Sequence, residues 1–384
     1  MKENFFGEEI EKIVFISEEQ LKKRDTNKIY GKFFEDTNIY NIFPTELQDK
    51  GEFLCEILPE NSNPSSDSFC AIYTKDGIDF YSEGKKLKVE KYSLYQNIFS
   101  RNKGILETDV MSKKRVVILG CGSVGSLVAM ELAKSGVGNF LLVDADIMEY
   151  HNICRHQCGI EDVGDLKINA LERKLKNINP SVNVEKFEGV VENLPKDTLD
   201  KFCVPEETIF VGCADNRAAD VYANSISIYY SAYFISIGFW ERACAGEIFY
   251  HLPNKGMPCY ECALGNGGNI SSRVQANHHV YSNKENIEAV KFEPGISVDI
   301  NFITTIGIKL IIDILNINNE SYIPRLLNDL KQYTIICNTN NPKIGGEMLE
   351  IFSYPLQITR SLVVGFGKNE CKDKKICRYE LENK

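Results

Sequence analysis

The sequence has no excess of positive charge: 44 lysines and arginines stand against 54 acids, giving a net charge of −10. That excludes a predominantly basic nucleic-acid binder, while leaving room for a local basic patch. Glycine and proline are used to an ordinary extent, 27 and 12 in 384 residues, so a collagen-like or disordered tail protein is excluded too. Long uncharged apolar runs are missing. The most apolar stretch, INFITTIGIKLIIDIL at 300–315, is shorter than the roughly 18 to 20 residues of a membrane span. It also contains Lys309 and Asp313, and it reads as a buried helix in a protein without membrane association. The opening MKENFFGEEIEKIVF carries acids throughout and lacks the basic, apolar and small-residue succession of a secretory signal, so a cytoplasmic setting is expected.

Thirteen cysteines are an odd number for a chain of cytosolic character, where thiols stay reduced; a disulfide framework is not expected, and metal ligation or thiol chemistry must be weighed instead. With 43% hydrophobic residues the chain has ample material for a core, and its length suggests two folded units. Residues 8–23 show a charged helical pattern, 61–68 (NSNPSSDS) a polar loop, and 69–92 a hairpin turning at Lys75-Asp76-Gly77. Residues 1–98 are therefore expected to form a small α+β domain, in which no chemistry is evident.

The pattern changes after Met111. Arg115-Val-Val-Ile-Leu119 enters Gly120-Cys-Gly-Ser-Val-Gly125, a helical stretch follows, and Gly136 closes it. Apolar runs recur at 140–143, 182–187, 208–211 and 233–237, separated by helix-length segments. Strands alternating with helices imply parallel pairing, so residues 99–384 are expected to hold an α/β, doubly wound, mostly parallel sheet of Rossmann-like kind. No internal repeat is present. The polar stretch 265–286, with the adjacent His278 and His279, reads as a surface loop rather than a metal site.

Glycines spaced as at 120, 122 and 125, between a strand and a helix, let the backbone turn tightly, approach a phosphate and pack the helix on the strand. Asp144 ends the second strand, where a carboxylate accepts ribose hydroxyls. This much fits a dinucleotide-binding dehydrogenase as well as another nucleotide fold. The next segment does not suit a hydride site: Asp144, Asp146, Asn152, Arg155 and Lys167 crowd acids, an amide and cations beside the glycine loop, as a triphosphate would require. Asp215 and Asn216, in CADNR, follow the fourth strand, where a carboxylate could meet a phosphate-bridging Mg²⁺. Cys259-x-x-Cys262 is half of a zinc site by spacing, and Cys371-x5-Cys377 is a candidate second half, with unliganded thiols as the alternative.

Together, GCGSVGS, SGVGNFLLVDADIMEYHNICRH, DVGDLK, NINP and CADNR resemble the ThiF/MoeB/E1 superfamily of adenylating enzymes over about residues 100–265, with a weaker likeness beyond. The resemblance implies a phosphate loop of Gly120, Gly122, Ser123 and Gly125, a ribose contact at Asp144, and further nucleotide contacts at Asp146 and Asn216. It implies phosphate contacts at Asn152, Arg155 and Lys167, and magnesium at Asp215. Arg101, in FSRNKG, is the implied arginine that reaches the partner subunit's ATP, although the superfamily's usual arginine string is lost at KYSLYQ. Superfamily members often carry a four-cysteine zinc site, here Cys259, Cys262, Cys371 and Cys377, with a wider second spacing than usual.

The expected enzyme is an adenylyltransferase using ATP, Mg²⁺ and a structural Zn²⁺, with Arg101, Arg155, Lys167 and Asp215 catalytic. Its expected substrate is the C-terminal carboxylate of a ubiquitin-like protein, passed to an E2-like partner by a homodimer in a bacterial antiphage conjugation system. Two enzyme alternatives are adenylation of a ribosomally made peptide, as in the microcin-type branch, and of a sulfur-carrier protein. A non-catalytic scaffold is opposed by the full set of ATP-site residues. No cysteine occurs at 288–295, where thioester-forming members hold one, and Cys244 reads as a packed small residue.

Overall fold

The structure is a computed structural model that describes residues 11–214, 216–253, 255, 257–265 and 294–359. Asp215, Cys371, Cys377 and the polar segment with His278 and His279 lie outside the described residues. The chain divides into two compact units, Met1–Arg101 and Asn102–Lys384.

In the first unit, β1 (Ile13–Ser17), β2 (Lys28–Phe34), β3 (Ile39–Ile42), β4 (Glu52–Leu58), β5 (Cys70–Thr74), β6 (Gly77–Ser82), β7 (Lys85–Lys86) and β8 (Lys88–Tyr92) form one sheet. Its order is β7-β6-β5-β4-β2-β3-β1-β8. The short helices α1 (Glu18–Lys22) and α2 (Leu94–Ile98) accompany it. Of the helical pattern expected over 8–23, the described residues keep α1, capped by the Ser17 hydroxyl. Before it, Val14 and Ile16 alternate into the core with Ile29, Ile42 and Phe80, and period-two burial outweighs the charged pattern. The expected hairpin is present, with Thr74 paired to Gly77 across a tight turn.

The second unit opens with α3 (Thr108–Met111) and then winds β9 (Arg115–Leu119), α4 (Ser123–Lys134), β10 (Asn139–Val143), α5 (Lys167–Ile178) and β11 (Asn183–Phe187). It continues through α6 (Lys196–Phe202), β12 (Thr208–Gly212), α7 (Arg217–Tyr229) and β13 (Tyr233–Phe239). These five strands are parallel in the order β11-β10-β9-β12-β13. Strand order reverses between β9 and β12, the switch point at which doubly wound sheets bind ligands. β14 (Ala245–His251), β15 (Tyr333–Cys337) and β16 (Ile358–Thr359) extend the sheet in antiparallel fashion.

Both faces of β9 are buried. Val116 and Ile118 join one core with Leu132, Leu171 and Ile311, while Val117 and Leu119 join another with Phe202, Ala223 and Ile226. An all-apolar strand covered by helices on two sides follows. The stretch 300–315 lies in α8 (Ser297–Leu315), which packs on α4. Lys309 is exposed, and buried Asp313 accepts the Tyr322 hydroxyl and the N–H groups of Arg325, Leu326 and Leu327. Among the described residues, no helix is long and apolar enough to cross a membrane. α4 stops where expected: Gly136, at φ +92°, donates to the Ala133 carbonyl, and Val137 donates to that of Leu132. A last short helix, α9 (Pro342–Gly345), is capped by the Asn341 side chain.

Candidate functional site

The glycine loop leaves the carboxyl end of β9 at the switch point. Gly120 has φ +91°, and a Cβ there would lie 3.1 Å from the Ala214 nitrogen, on the loop that leaves β12. At Gly125 the constraint is harder, because a Cβ would sit 1.9 Å from the Gly120 carbonyl oxygen. A Cβ on Gly122, in contrast, would meet nothing within 4 Å. Gly122 caps α4 without a side-chain hydrogen bond, so the first-turn N–H groups from Ser123 onward are available to an anion.

Asp144 braces this loop. One carboxylate oxygen accepts the Cys121 N–H at 2.6 Å and the other accepts the Asp146 N–H at 2.7 Å. Burial pushes the Asp144 carboxyl above its usual range, opposed by the Lys167 cation and the two N–H groups. Asp146 in turn accepts Lys167 Nζ at 2.7 Å, and the Lys167 N–H donates to the Asp146 carbonyl. Lys167 is the first residue of α5, where the helix dipole disfavours a cation. Its side chain is only 10% exposed, so an ammonium is held at an unfavourable end by an acid that is itself 43% exposed. Such an arrangement suits a group whose task is to meet a further anion.

The next segment closes over the loop. Asn152 Oδ1 accepts the Glu149 N–H at 3.0 Å and shapes the turn that presents Arg155, and both Asn152 and Arg155 are half-buried. His156, for which no role was expected, is buried and joins the two segments. Its Nδ1 accepts the Cys158 N–H at 3.0 Å and its Nε2 lies 2.7 Å from the Cys121 carbonyl oxygen. Burial lowers its pKa, with Lys167 acting in the same direction. Its only sequence signal is adjacency to Arg155.

Gly120, Gly122, Ser123, Gly125, Asp144, Asp146 and Lys167 are thus brought together, and Asn152 and Arg155 are tied to them through His156. Other expected residues stand differently. Arg101 is exposed at the end of the first unit. Asn216 is also exposed and caps its own helix, its Oδ1 accepting the Ala218 N–H at 2.9 Å. Arg217 donates to Glu247 Oε1 at 3.0 Å, and the Tyr333 hydroxyl donates to Glu247 Oε2 at 2.7 Å, pinning the start of α7 to β14 and β15. Cys244 is fully buried, and a Cβ on Gly345 would lie 2.6 Å from its sulfur, so it packs as a small core residue. Cys259 is buried and Cys262 half-buried. Among the described residues, no group of three or more His, Cys, Asp or Glu side chains is placed to hold a metal.

Open backbone donors at a helix start and a buried lysine meet at the switch point, an arrangement that can bind a polyanion, and Arg155 adjoins His156, which reaches the glycine loop. In comparisons with known proteins, the model of the ThiF family matches residues 96–340, more than half of the chain. Ubiquitin-like modifier-activating enzyme 5 of Xenopus laevis is 31% identical over 208 residues, covering 47% of this chain and 50% of that protein. The sulfur carrier protein ThiS adenylyltransferase of Bacillus subtilis (strain 168) is 30% identical over 162 residues, covering 40% of this chain and 45% of that protein. The chain therefore spans about half the length of these relatives or less. Among solved structures, E. coli MccB with ATP matches at 22% identity and TM-score 0.47, covering 67% of this chain and 65% of that one.

Proposed function

Because the chain belongs to the ThiF family, we propose that it is an E1-like adenylyltransferase that uses ATP to activate a carboxylate as its acyl-adenylate. The observation that carries this reading is the hydrogen-bonded series from Cys121 through Asp144 and Asp146 to Lys167, which sets a cation beside a glycine loop with open N–H groups. In the reaction the substrate carboxylate oxygen attacks the α-phosphate, the bond to the β-phosphate oxygen breaks, and pyrophosphate leaves with that electron pair. The loop N–H groups orient the phosphates, and Lys167 and Arg155 offset the charge that develops on them. Magnesium supplies further charge neutralisation when bound, with Asp215 as its proposed ligand, and Asn216 lies beside it in sequence.

The proposed substrate is the C terminus of a ubiquitin-like protein, with transfer to an E2-like partner in antiphage conjugation. A homodimer in which Arg101 reaches the other subunit's nucleotide belongs to the same proposal. A peptide substrate is a second reading, favoured by the lack of cysteine at 288–295. A structural zinc held by Cys259, Cys262, Cys371 and Cys377 is supported by the spacing of the two pairs, and metal analysis of the purified protein tests it. The decisive experiment is exchange of labelled pyrophosphate into ATP, run with candidate ubiquitin-like proteins and peptides. Exchange that depends on one of them, and is lost in Asp215→Ala, is expected. Substrate-dependent exchange at the full rate in Asp215→Ala removes that residue from the mechanism.

A further inference from the structure

Among the described residues, the peptide joining Cys121 to Gly122 is held at one end only, by its carbonyl. Its carbonyl faces inward to His156 Nε2 at 2.7 Å. In a planar trans peptide the N–H points opposite to the C=O, so anchoring the Cys121 carbonyl inward turns the Gly122 N–H outward. Among the described residues, none accepts the Gly122 N–H, and a Cβ on Gly122 would meet nothing within 4 Å. The preceding peptide is fixed as well, since the Cys121 N–H is taken by Asp144 at 2.6 Å.

His156 can do this in one form only. The Cys158 N–H is a donor and occupies Nδ1, so the ring proton must reside on Nε2, where it donates to the Cys121 carbonyl. His156 is 8% exposed, so water has little access to either nitrogen. A neutral, single-tautomer imidazole between two loops is thereby specified by its two partners.

Resting on the nucleotide reading given above, we propose that His156 is a positioning residue for ATP: it sets the Cys121–Gly122 peptide so that the Gly122 N–H faces the phosphates. It also links this loop to the segment that carries Arg155. The two nitrogens have separable duties. Nδ1 serves the fold of its own segment, and Nε2 serves the glycine loop.

Two variants of the full chain separate these duties. The terminal amide of His156→Gln reaches the place of Nε2 and can donate to the Cys121 carbonyl. The shorter amide of His156→Asn reaches only the place of Nδ1 and can accept from the Cys158 N–H. Titration calorimetry with Mg²⁺-ATP and thermal melting are measured for the parent chain and both variants. Expected is an ATP Kd for the Gln variant within about threefold of the parent, and about tenfold weaker binding for the Asn variant, with no larger fall in melting temperature than the Gln variant shows. Nitrogen-15 spectra of the parent histidines should show one ring protonated on Nε2 alone at neutral pH. An Asn variant that binds ATP as the parent does, or variants whose binding losses simply follow their melting temperatures, overturns the assignment while leaving the adenylation reading intact. A parent chain that binds no ATP overturns both.

Discussion

In the parallel half of the second unit's sheet, a group of polar side chains stays half-exposed beyond the strand tips, Asp144 and Asp146 after β10 and Asn152 and Arg155 in the loop that follows, with Lys167 and His156 buried beside them. In the antiparallel half, the polar groups sit within the strands and are buried, as with Glu247 and His251 in β14 and Tyr333 and Thr334 in β15. The reason is directional. Parallel strands bring all their carboxyl ends to one edge, where loops converge on a ligand; antiparallel neighbours send successive carboxyl ends to opposite edges. The half-exposed groups at the strand tips are available for chemistry, whereas the buried ones within strands must satisfy one another or cost stability.

The sharpest way to break this contrast is Gly125→Val. The added side chain starts 1.9 Å from the Gly120 oxygen, so the loop must move. A loss of ATP affinity beyond about 100-fold, with about 3 kcal/mol of destabilisation, is expected from overpacking at this contact. Gly122→Ala, in open space, should melt near the parent temperature.

Glu247→Ala probes the other half. It leaves the Tyr333 hydroxyl buried and Arg217, 27% exposed, without its carboxylate. A cost of about 3 kcal/mol in urea unfolding is expected. Loss of ATP binding at unchanged stability would show that this half reaches the site directly.

Lys167→Ala should behave in the reverse manner. Because Asp146 is 43% exposed, stability should change by about 1 kcal/mol or less, while pyrophosphate exchange falls about 100-fold. A loss confined to stability would make Lys167 a structural cation.

The smallest effect is a pH slope. Burial lowers His251 from 6.5 to about 4. Above pH 6.5 both folded and unfolded chains hold it neutral. Below that, the unfolded chain takes up a proton the folded chain refuses, so stability falls as pH drops towards about 4. Between pH 7 and 5 the loss should be about 2 kcal/mol, and His251→Phe should flatten it. An unchanged slope in that variant assigns the acid sensitivity to other groups.

The first unit shows why legibility varies. Its hairpin at 70–82 could be read because the turn residues and alternation are local. The strand Ile13–Ser17 could not, because what makes it a strand is pairing with β3 and β8, whose residues lie far along the chain. β14 is a fully buried run that pairs with its neighbour β13 on one side, but its other antiparallel partner, β15, lies far along the chain.

At the site, the sequence by itself determined the glycine spacing, the acid that ends β10 and the cation at the start of α5, since each is a residue type placed at a strand or helix terminus. Tertiary structure alone decided what these groups touch: that Asp144 braces the Cys121 N–H, that Asp146 holds Lys167, and that His156 reaches the carbonyl of a residue 35 positions away. Hydrogen-bond partners are set by how strands and loops approach in space, at a precision of tenths of an ångström, and that approach is a property of the packed sheet rather than of any one segment.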